Sequence, residues 1–385
     1  MPHRHSIFCI LPPHMLDQVA QRGSPMQREI AQRTLASSQL IREKRHSLIG
    51  KGAAMRIAAL DTGKQRAVYD AKFSTKLPGT LMRKEGDAPV ADVAVNEAYD
   101  GSGATYDLYY TAFGRNSIDN NGLKLDSTVH YDKGYDNAFW DGQQMVYGDG
   151  DEDLPVSERL FNRFTISLDV IGHELTHGVT QYEANLAYSN QQGALNEAIS
   201  DIFGSLVKQY QRAQTADQAD WIIGEGLFTS NVKGVGIRSM KAPGTAYNDP
   251  VLGKDPQPAH MKNYVTTSQD NGGVHINSGI VNHAFYVTAL EIGGGAWEKA
   301  GQIWYRTLTS KLSSKSNFQN AADFTFQAAG ELFGADSLEQ KAVKTGWSEV
   351  GIVAVDSGGG TPTPTPTPGG DGCLTAILKS IGITK

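Results

Sequence analysis

The stretch "VIGHELTHGVTQYE", residues 170–183, constrains this chain more than any other part of the sequence. His173 and His177 are separated by about 400° of rotation on a helix, so both project from one face, one turn apart. That spacing suits two neighbouring ligands of one tetrahedral metal ion. Glu174 follows the first histidine and can face the ion from beside the pair. The same pattern also fits an ordinary solvated helix face, so the interpretation depends on further ligands.

A third ligand is predicted on the next helix, in "GALNEAISD". A zinc site for hydrolysis needs about three protein ligands, an open position for water and a base nearby. Glu197 follows His177 after nineteen intervening residues, enough for a turn that brings the second helix beside the first. Asp201, one turn later, can then accept a hydrogen bond from the outer nitrogen of a ligand histidine.

A further stretch, "SQDNGGVHINSGIVNHAF", carries His275 after a Gly-Gly turn and Asp270 five residues earlier. A histidine held by an aspartate can donate a hydrogen bond to the oxyanion of a tetrahedral intermediate. Taken alone, His275 would be interpreted as a structural loop histidine. Together with the two helical stretches, it indicates metal-dependent hydrolysis.

The periodicity of the apolar residues changes along the chain and predicts an α+β protein. Short aromatic and β-branched runs over residues 60–146, such as "TYDLYYTAFGRNSIDNNGLKLDSTVHYD", predict a mainly β lobe. Helical periodicity takes over from Leu160. We therefore expect two lobes, a β-rich N-terminal lobe and a mainly helical C-terminal lobe, with a cleft between them.

The two ends of the chain differ from its body. Residues 1–50 contain seven Lys/Arg and three Asp/Glu, whereas the remaining residues contain 28 Lys/Arg and 38 Asp/Glu. A basic leader therefore precedes an acidic body. No basic stripe stands out, which argues against a nucleic-acid partner. The apolar run of residues 7–11 is too short for a secretory signal, and no stretch predicts a membrane span. "DSGGGTPTPTPTPGGDG" predicts an extended linker, followed by a short amphipathic tail.

Four motifs together resemble the thermolysin-like zinc metallopeptidases. They are "GYDNAFWDGQQMVYGDGD", "VIGHELTHGVTQY", "GALNEAISDIFG" and "NGGVHINSGI", at matching spacing between about Val95 and Gly351. The leader, with "CILPPHML", resembles the short propeptide of the protealysin subgroup. The resemblance implies a thermolysin-like two-lobed fold, with a propeptide 1–52, a β-rich catalytic lobe 53–180 that ends in the helix of the two histidines, and a helical catalytic lobe 181–356. Composition and apolar spacing add the linker 357–372 and the tail 373–385.

The resemblance implies a role for each residue of the metal centre. Its zinc ligands are matched by His173, His177 and Glu197, with Asp201 hydrogen-bonded behind them. Glu174 matches the base that activates water and later passes the proton to the leaving amine.

The resemblance extends to the groups that contact substrate. Those that stabilise the oxyanion are matched by Tyr188 and His275, with Asp270 as the partner that orients the histidine. Those that bind the substrate main chain are matched by Asn137, Ala138 and Arg238. The pocket for the residue after the cut bond is matched by six apolar residues: Phe161, Phe164, Val170, Ile223, Leu227 and Ile237. These six also suit an ordinary core, because apolar residues at helical spacing usually pack inside.

One departure from the family concerns calcium. Members with a double calcium site have a carboxylate at the position of Lys208. A second carboxylate position of that site is occupied by Ile222 in this chain. Three carboxylates remain: Asp169, Asp220 and Glu225. A lysine among these oxygens replaces the charge of one cation, so we expect at most one calcium ion besides zinc.

The expected function is that of a zinc-dependent neutral endopeptidase, a monomer, whose propeptide is an intramolecular inhibitor and which cuts on the amino side of bulky apolar residues. Its partners are protein or peptide substrates. An aminopeptidase would show a separate acidic motif for the free amine, and none is found. A non-enzymatic zinc-binding or adhesion module would have lost Glu174 or His275, and both are present.

Three further points stay open at the level of sequence. Cys9 is either a thiolate that binds the open zinc position or a buried, inert thiol, which its apolar neighbours favour. Maturation cleavage is expected between about residues 44 and 58, where Gly, Ala and Lys cluster. The propeptide favours secretion by a route without a Sec signal, with a cytoplasmic location as the alternative.

Overall fold

The computed structural model describes residues 8–48 and 63–355. The predicted linker and tail, and residues 49–58 of the expected maturation region, lie outside these ranges. Within the two ranges, no helix combines the length and the apolar character that a membrane-spanning helix requires.

The leader forms one short strand and two helices, β1 (Phe8–Cys9), α1 (Pro13–Arg22) and α2 (Pro25–Leu48). Pro13 occupies the first position of its helix, where a missing N–H leaves no hydrogen bond unmade. The apolar side chains of the leader are buried in the same core as those of the body: Ile10, Leu11, Met15, Leu16 and Val19. The leader therefore packs on the body and shares its core.

The N-terminal lobe is built on a six-stranded sheet. Its remaining strands are β2 (Arg66–Asp70), β3 (Thr80–Lys84), β4 (Leu125–Val129), β5 (Ala138–Trp140) and β6 (Met145–Tyr147). The spatial order is β1-β5-β6-β4-β2-β3. Strand β1 pairs antiparallel with β5, with Phe8 opposite Trp140 and Cys9 opposite Phe139. A strand of the leader thus forms one edge of the sheet of the body.

A long helix, α3 (Val93–Phe113), lies between β3 and β4, so the prediction of β structure for residues 105–113 is wrong. Asp92 caps the helix, because its side chain accepts a hydrogen bond from Ala94 N at 2.9 Å. Gly114 ends the helix in the left-handed conformation. The buried tyrosines of this segment follow helical spacing and face the interior, so burial of one helix face outweighs their preference for strands.

The C-terminal lobe is mainly helical, as predicted. Its helices are α4 (Leu168–Tyr182), α5 (Asn190–Gln211), α6 (Asp270–Ile292), α7 (Ala300–Ser310), α8 (Phe318–Phe333) and α9 (Leu338–Glu349). Two-residue strands form two small ribbons between α5 and α6: β7 (Ile222–Ile223) with β8 (Arg238–Ser239), and β9 (Asn248–Asp249) with β10 (Gly253–Lys254). Helix α4 begins eight residues later than the helical pattern from Leu160 indicates.

Helices α4 and α5 approach each other closely enough for their backbones to touch. A Cβ atom on Gly204 would lie 2.4 Å from the backbone oxygen of Asp169, a distance that no side chain tolerates. Glycine at this position therefore lets the two helices lie side by side. The side chains of His173 on α4 and Asp201 on α5 consequently meet.

Candidate active site

The three predicted metal ligands meet between α4 and α5. The Nε2 atoms of His173 and His177 lie 3.0 Å apart, and the Glu197 carboxylate lies 3.5 Å from each ring. All three side chains are fully buried. They also form the one group of three or more His, Cys, Asp or Glu side chains able to share an ion in the described part of the chain.

The outer nitrogens of both histidines are held by side chains of α5. His173 Nδ1 donates to Asp201 Oδ1 at 2.8 Å, as the sequence predicts. His177 Nδ1 donates to Asn196 Oδ1 at 2.9 Å and lies at the same distance from Ser200 Oγ. Asn196 and Ser200 were missed in the sequence, although their one-turn spacing beside Glu197 and Asp201 is the signal that finds them.

This arrangement fits a bound cation. With both outer nitrogens donating, the Nε2 lone pairs of the two rings face the same point. Burial and the neighbouring His173 lower the pKa of His177 well below its usual range, which keeps its ring neutral as a metal ligand must be. Glu197 Oε2 is buried and has no hydrogen-bond partner among the residues described. Two imidazole nitrogens and one carboxylate are the donor set of a catalytic zinc site.

Glu174 lies beside the ligands and is fully buried. Its Oε2 accepts a hydrogen bond from Trp140 N at 3.0 Å, so β5 orients the carboxylate. Burial and the nearby Glu197 carboxylate raise the pKa of Glu174 well above its usual range. A carboxyl group with a raised pKa is suited to general acid–base catalysis.

His275 and Tyr188 lie beside the metal ligand Glu197. His275 Nδ1 donates to Asp270 Oδ1 at 2.6 Å, and His275 Nε2 lies 3.3 Å from the Tyr188 hydroxyl. The turn that permits this runs through left-handed residues, among them Gly272 at φ 90°. Burial alone would lower the pKa of His275, but the carboxylates of Asp270 and Glu197 raise it to about 9. His275 is therefore a cationic hydrogen-bond donor.

The predicted main-chain binders contact the leader. Ile10 N donates to the backbone oxygen of Ala138 at 3.3 Å, and Leu11 N donates to Asn137 Oδ1 at 3.0 Å. Asn137 Nδ2 donates back to Leu11 O at 3.4 Å. Arg238 Nη1 donates to Ile10 O at 3.0 Å. These groups line one groove, and the leader segment that follows β1 lies in it.

The six predicted pocket residues are buried in one apolar core that also contains Ile10. Ile223 lies opposite Arg238 in the β7-β8 ribbon, and Ile237 N donates to Ile223 O at 2.8 Å. Val170 lies one turn before Glu174 on the same helix. The ring centroids of Phe161 and Phe164 are 6.2 Å apart. Leu227 joins this group through its backbone oxygen, which accepts from Asn162 N at 2.8 Å.

The side chain of Cys9 packs away from the main core. It is buried in a separate apolar cluster with Tyr131, Tyr135, Phe139 and Val146. This environment matches the buried thiol of the two alternatives weighed for Cys9.

The three carboxylates considered for calcium surround a lysine. Lys208 Nζ lies 2.8 Å from Asp169 Oδ2, 2.8 Å from Asp220 Oδ1 and 3.8 Å from Glu225 Oε2. The amine also donates to Ile222 O at 2.7 Å. The ammonium group thus makes the contacts with these oxygens that a cation would make.

Comparison with known protein families agrees with this geometry. Residues 42–181 match the family described as "Thermolysin metallopeptidase, catalytic domain", and residues 184–352 match "Thermolysin metallopeptidase, alpha-helical domain". The chain belongs to the thermolysin metallopeptidase family. The predictions of a thermolysin-like fold, of a zinc metalloendopeptidase and of zinc as its cofactor are thereby confirmed.

Relatives of this thermolysin-family chain include two bacterial proteases. An "Extracellular metalloprotease" of Pectobacterium carotovorum subsp. carotovorum is 48% identical over 90% of this chain and 96% of its own length. "Protease PrtS" of Photorhabdus sp. (strain Az29) is 54% identical over 74% of this chain and 76% of its own length.

A solved structure is similar over the leader as well as the body. The "Precursor of Protealysin, Metalloproteinase from Serratia proteamaculans" is 51% identical, with a TM-score of 0.80 over 90% of this chain and all of that one. The prediction of a protealysin-like member with a short propeptide is confirmed.

Proposed function

We propose that this chain is the latent precursor of a zinc endopeptidase and that residues 8–22 of its leader block the substrate groove. The observation that carries the proposal is the pairing of β1 with β5. An extended segment on a sheet edge is bound by main-chain hydrogen bonds, and its side chains enter pockets in alternation. The leader fulfils both conditions beside Glu174 and the three metal ligands.

The residues of the groove divide the reaction among them. His173, His177 and Glu197 would hold zinc, which when bound would supply a Lewis acid for the scissile carbonyl and for water. Glu174 takes a proton from the attacking water and later delivers it to the leaving amine.

The remaining groups bind and orient the peptide. His275 and Tyr188 donate hydrogen bonds to the oxygen on which negative charge develops. Arg238, Asn137 and Ala138 fix the main chain after the bond to be cut. Asp201 orients His173, and Asp270 orients His275.

The route of the leader favours an endopeptidase over an aminopeptidase. Phe8 and Cys9 precede the point at which the leader passes His275, and Leu11 to Pro13 follow it. A groove that accepts chain on both sides of the reacting centre suits internal peptide bonds. The buried apolar pocket beside Arg238 favours a bulky apolar residue after the cut.

The location proposed for the enzyme rests on its relatives and its leader. We propose that it acts outside the cell, as the name of the Pectobacterium relative says of that protein, after export without a Sec signal. We further propose a monomer, a propeptide of residues 1–52, catalytic lobes 53–180 and 181–356, a linker 357–372 and a tail 373–385.

The test is casein hydrolysis by protein whose leader has been removed with a second protease. Activity should vanish with a zinc chelator and return when zinc is added. Mass spectrometry of the digest should show cuts before Leu, Ile or Phe, whereas cuts before acidic residues would refute the proposed pocket. A zinc-loaded, leader-free protein that cuts nothing would favour the non-enzymatic module.

A further inference from the structure

We infer that the Cys9–Ile10 peptide bond of the leader lies in the scissile position and is a substrate of this chain's own active site. The inference rests on the proposed function, because it assigns a particular bond to the proposed chemistry. It goes beyond a blocked groove, since a segment can fill a groove in a register or direction in which no bond is poised for cleavage.

The carbonyl group of Cys9 occupies the position of the reacting carbonyl. His275 Nε2 donates to Cys9 O at 3.0 Å, and the same nitrogen lies 3.4 Å from Glu197 Oε2. The hydroxyl of Tyr188 lies 3.3 Å from that nitrogen. The oxygen of Cys9 is therefore bound by the proposed oxyanion donor, and the nitrogen that binds it also lies beside a metal ligand.

The amide nitrogen of Ile10 occupies the position of the leaving amine. Its N–H donates to Ala138 O at 3.3 Å, and Ala138 begins β5. Trp140 N of the same strand donates to Glu174 Oε2 at 3.0 Å. Strand β5 thus holds both the nitrogen of Ile10 and the group proposed to deliver a proton to it.

The residues that follow keep the register of a substrate. Arg238 holds the carbonyl of Ile10, and Asn137 holds both the N–H and the carbonyl of Leu11. Ile10 is fully buried in the core that contains the proposed pocket residues, and it is bulky and apolar. The residue after the assigned bond therefore meets the specificity proposed for the enzyme.

The reaction is hydrolysis and needs only water as a second reactant. The oxygen of water joins the carbonyl carbon of Cys9, the carbon–nitrogen bond to Ile10 breaks, and a proton passes to the nitrogen. The products are a carboxylate at Cys9 and an ammonium group at Ile10. After the cut, the described residues of this segment, Phe8 and Cys9, are held by the strand pairing of β1 and by burial of the Cys9 side chain, whereas α1 keeps its own buried contacts. This cut differs from the maturation cleavage expected between about residues 44 and 58.

The experiment uses the full-length chain purified in chelator and then loaded with zinc. Samples are taken over time for intact-mass measurement and for chemical labelling of new N-termini. We expect loss of residues 1–9 and a new terminus at Ile10. The rate should be unchanged by tenfold dilution, because the bond is cut within its own molecule. Glu174→Gln protein treated identically should keep the bond.

Two variants of Ile10 test the register. Ile10→Leu keeps a bulky apolar side chain and should be cut at the same bond within about threefold of the wild-type rate. Ile10→Asp places a charge in the apolar pocket, and we expect at least about a tenfold slower cut there, since burying an unpaired charge is unfavourable.

Alkylation of the Cys9 thiol reports docking of the leader without any turnover. Cys9 is 2% exposed, so it should react slowly in zinc-free Glu174→Gln protein. The additional Ile10→Leu change should preserve this protection. The variant that combines Glu174→Gln with Ile10→Asp is compared in the same way. Fast alkylation of Cys9 in this variant would show that the charge releases the leader strand from the groove, which supports Ile10 as the residue that holds the strand in place.

The outcomes separate the inference from the function on which it rests. If the zinc-loaded precursor keeps the Cys9–Ile10 bond, while the same preparation hydrolyses casein once its leader is removed, the inference is wrong. A first cut at another bond among residues 8–13 would show that the register is wrong. Absence of both activities would reject the proposed function and the inference with it.

Discussion

Arg238 and Asp201 form a fully buried, two-pronged ion pair, with Nε to Oδ2 at 2.8 Å and Nη2 to Oδ1 at 2.7 Å. The same carboxylate accepts the hydrogen bond of His173, and Arg238 also holds the main chain of the leader. One aspartate thus links His173 to the arginine that contacts the leader.

Asp201→Asn should weaken both functions of that aspartate. The amide keeps the shape of the carboxylate but removes the charge that pairs with Arg238. We expect zinc affinity to fall about 10–100-fold and KM for a peptide to rise. Zinc affinity is measured by competition with a chelator. Asn282→Ala is the matched control, because Asn282 contacts Asp201 Oδ2 alone, at 2.8 Å, and should have a smaller effect. Wild-type zinc affinity in Asp201→Asn would contradict the assigned role.

Lys208 should be required for stability. Lys208→Met leaves the buried Asp169 without its cation, and we expect a loss of about 3–5 kcal/mol in the free energy of unfolding. Denaturant unfolding measures the change, with the exposed Lys341→Met as control. Lys208→Glu should gain thermal stability in millimolar calcium by more than the wild type does. An equal calcium response in both proteins would contradict the view that the ammonium replaces a cation.

The charge of His130 should stabilise the fold, and this stabilisation should be lost at alkaline pH. Its ring lies 2.8 Å from both Asp149 and Asp92, and the hydrogen bond to Asp149, opposed by burial, raises its pKa to about 9. Because the pKa of the folded state is above the unfolded value, this stabilisation is complete below about pH 6.5 and is lost as pH rises through about 9.

The variant His130→Asn tests this, since asparagine tolerates the left-handed backbone at this position (φ 53°). We expect it to lower the free energy of unfolding by about 1–3 kcal/mol at pH 6 and to have little effect at pH 10. Denaturant unfolding at both pH values measures the difference. An equal effect at both would show that the charge of His130 is not involved.

Cys9→Ser should leave the precursor as latent as the wild type. In the proposed function, inhibition resides in the main-chain pairing of the strand, and the thiol packs among Tyr131, Tyr135, Phe139 and Val146. Hydrolysis of a fluorogenic peptide by the intact precursor measures latency. Activity in Cys9→Ser precursor that is still full-length by mass would instead support the thiolate bound to zinc.

The sequence predicts the metal centre because its signals are local. His173 and His177 are one helical turn apart, and Glu197 and Asp201 share the next helix. Asn196 and Ser200 were predictable from the same spacing. The aromatic run at residues 105–113 predicts strands, because aromatic residues are enriched in strands, but it lies in a helix that buries its aromatic face.

Local sequence patterns do not predict contacts between segments that are far apart in the chain. Leu11 and Asn137 are 126 positions apart, and Arg238 and Asp201 are 37 apart. The sequence predicts an inhibitory leader, but the register of that leader depends on the pairing of β1 with β5. That pairing is a tertiary contact, and a two-residue strand carries no periodic pattern that would predict it.

The central claim is that Glu174 is the base of a zinc-dependent peptidase. The most direct measurement compares leader-free wild type with Glu174→Gln, each shown to bind one zinc ion by metal analysis, in turnover of one fluorogenic peptide. The account predicts that kcat falls by at least about 10²-fold with zinc content unchanged. A zinc-loaded Glu174→Gln protein that retains activity within tenfold of the wild type would contradict it.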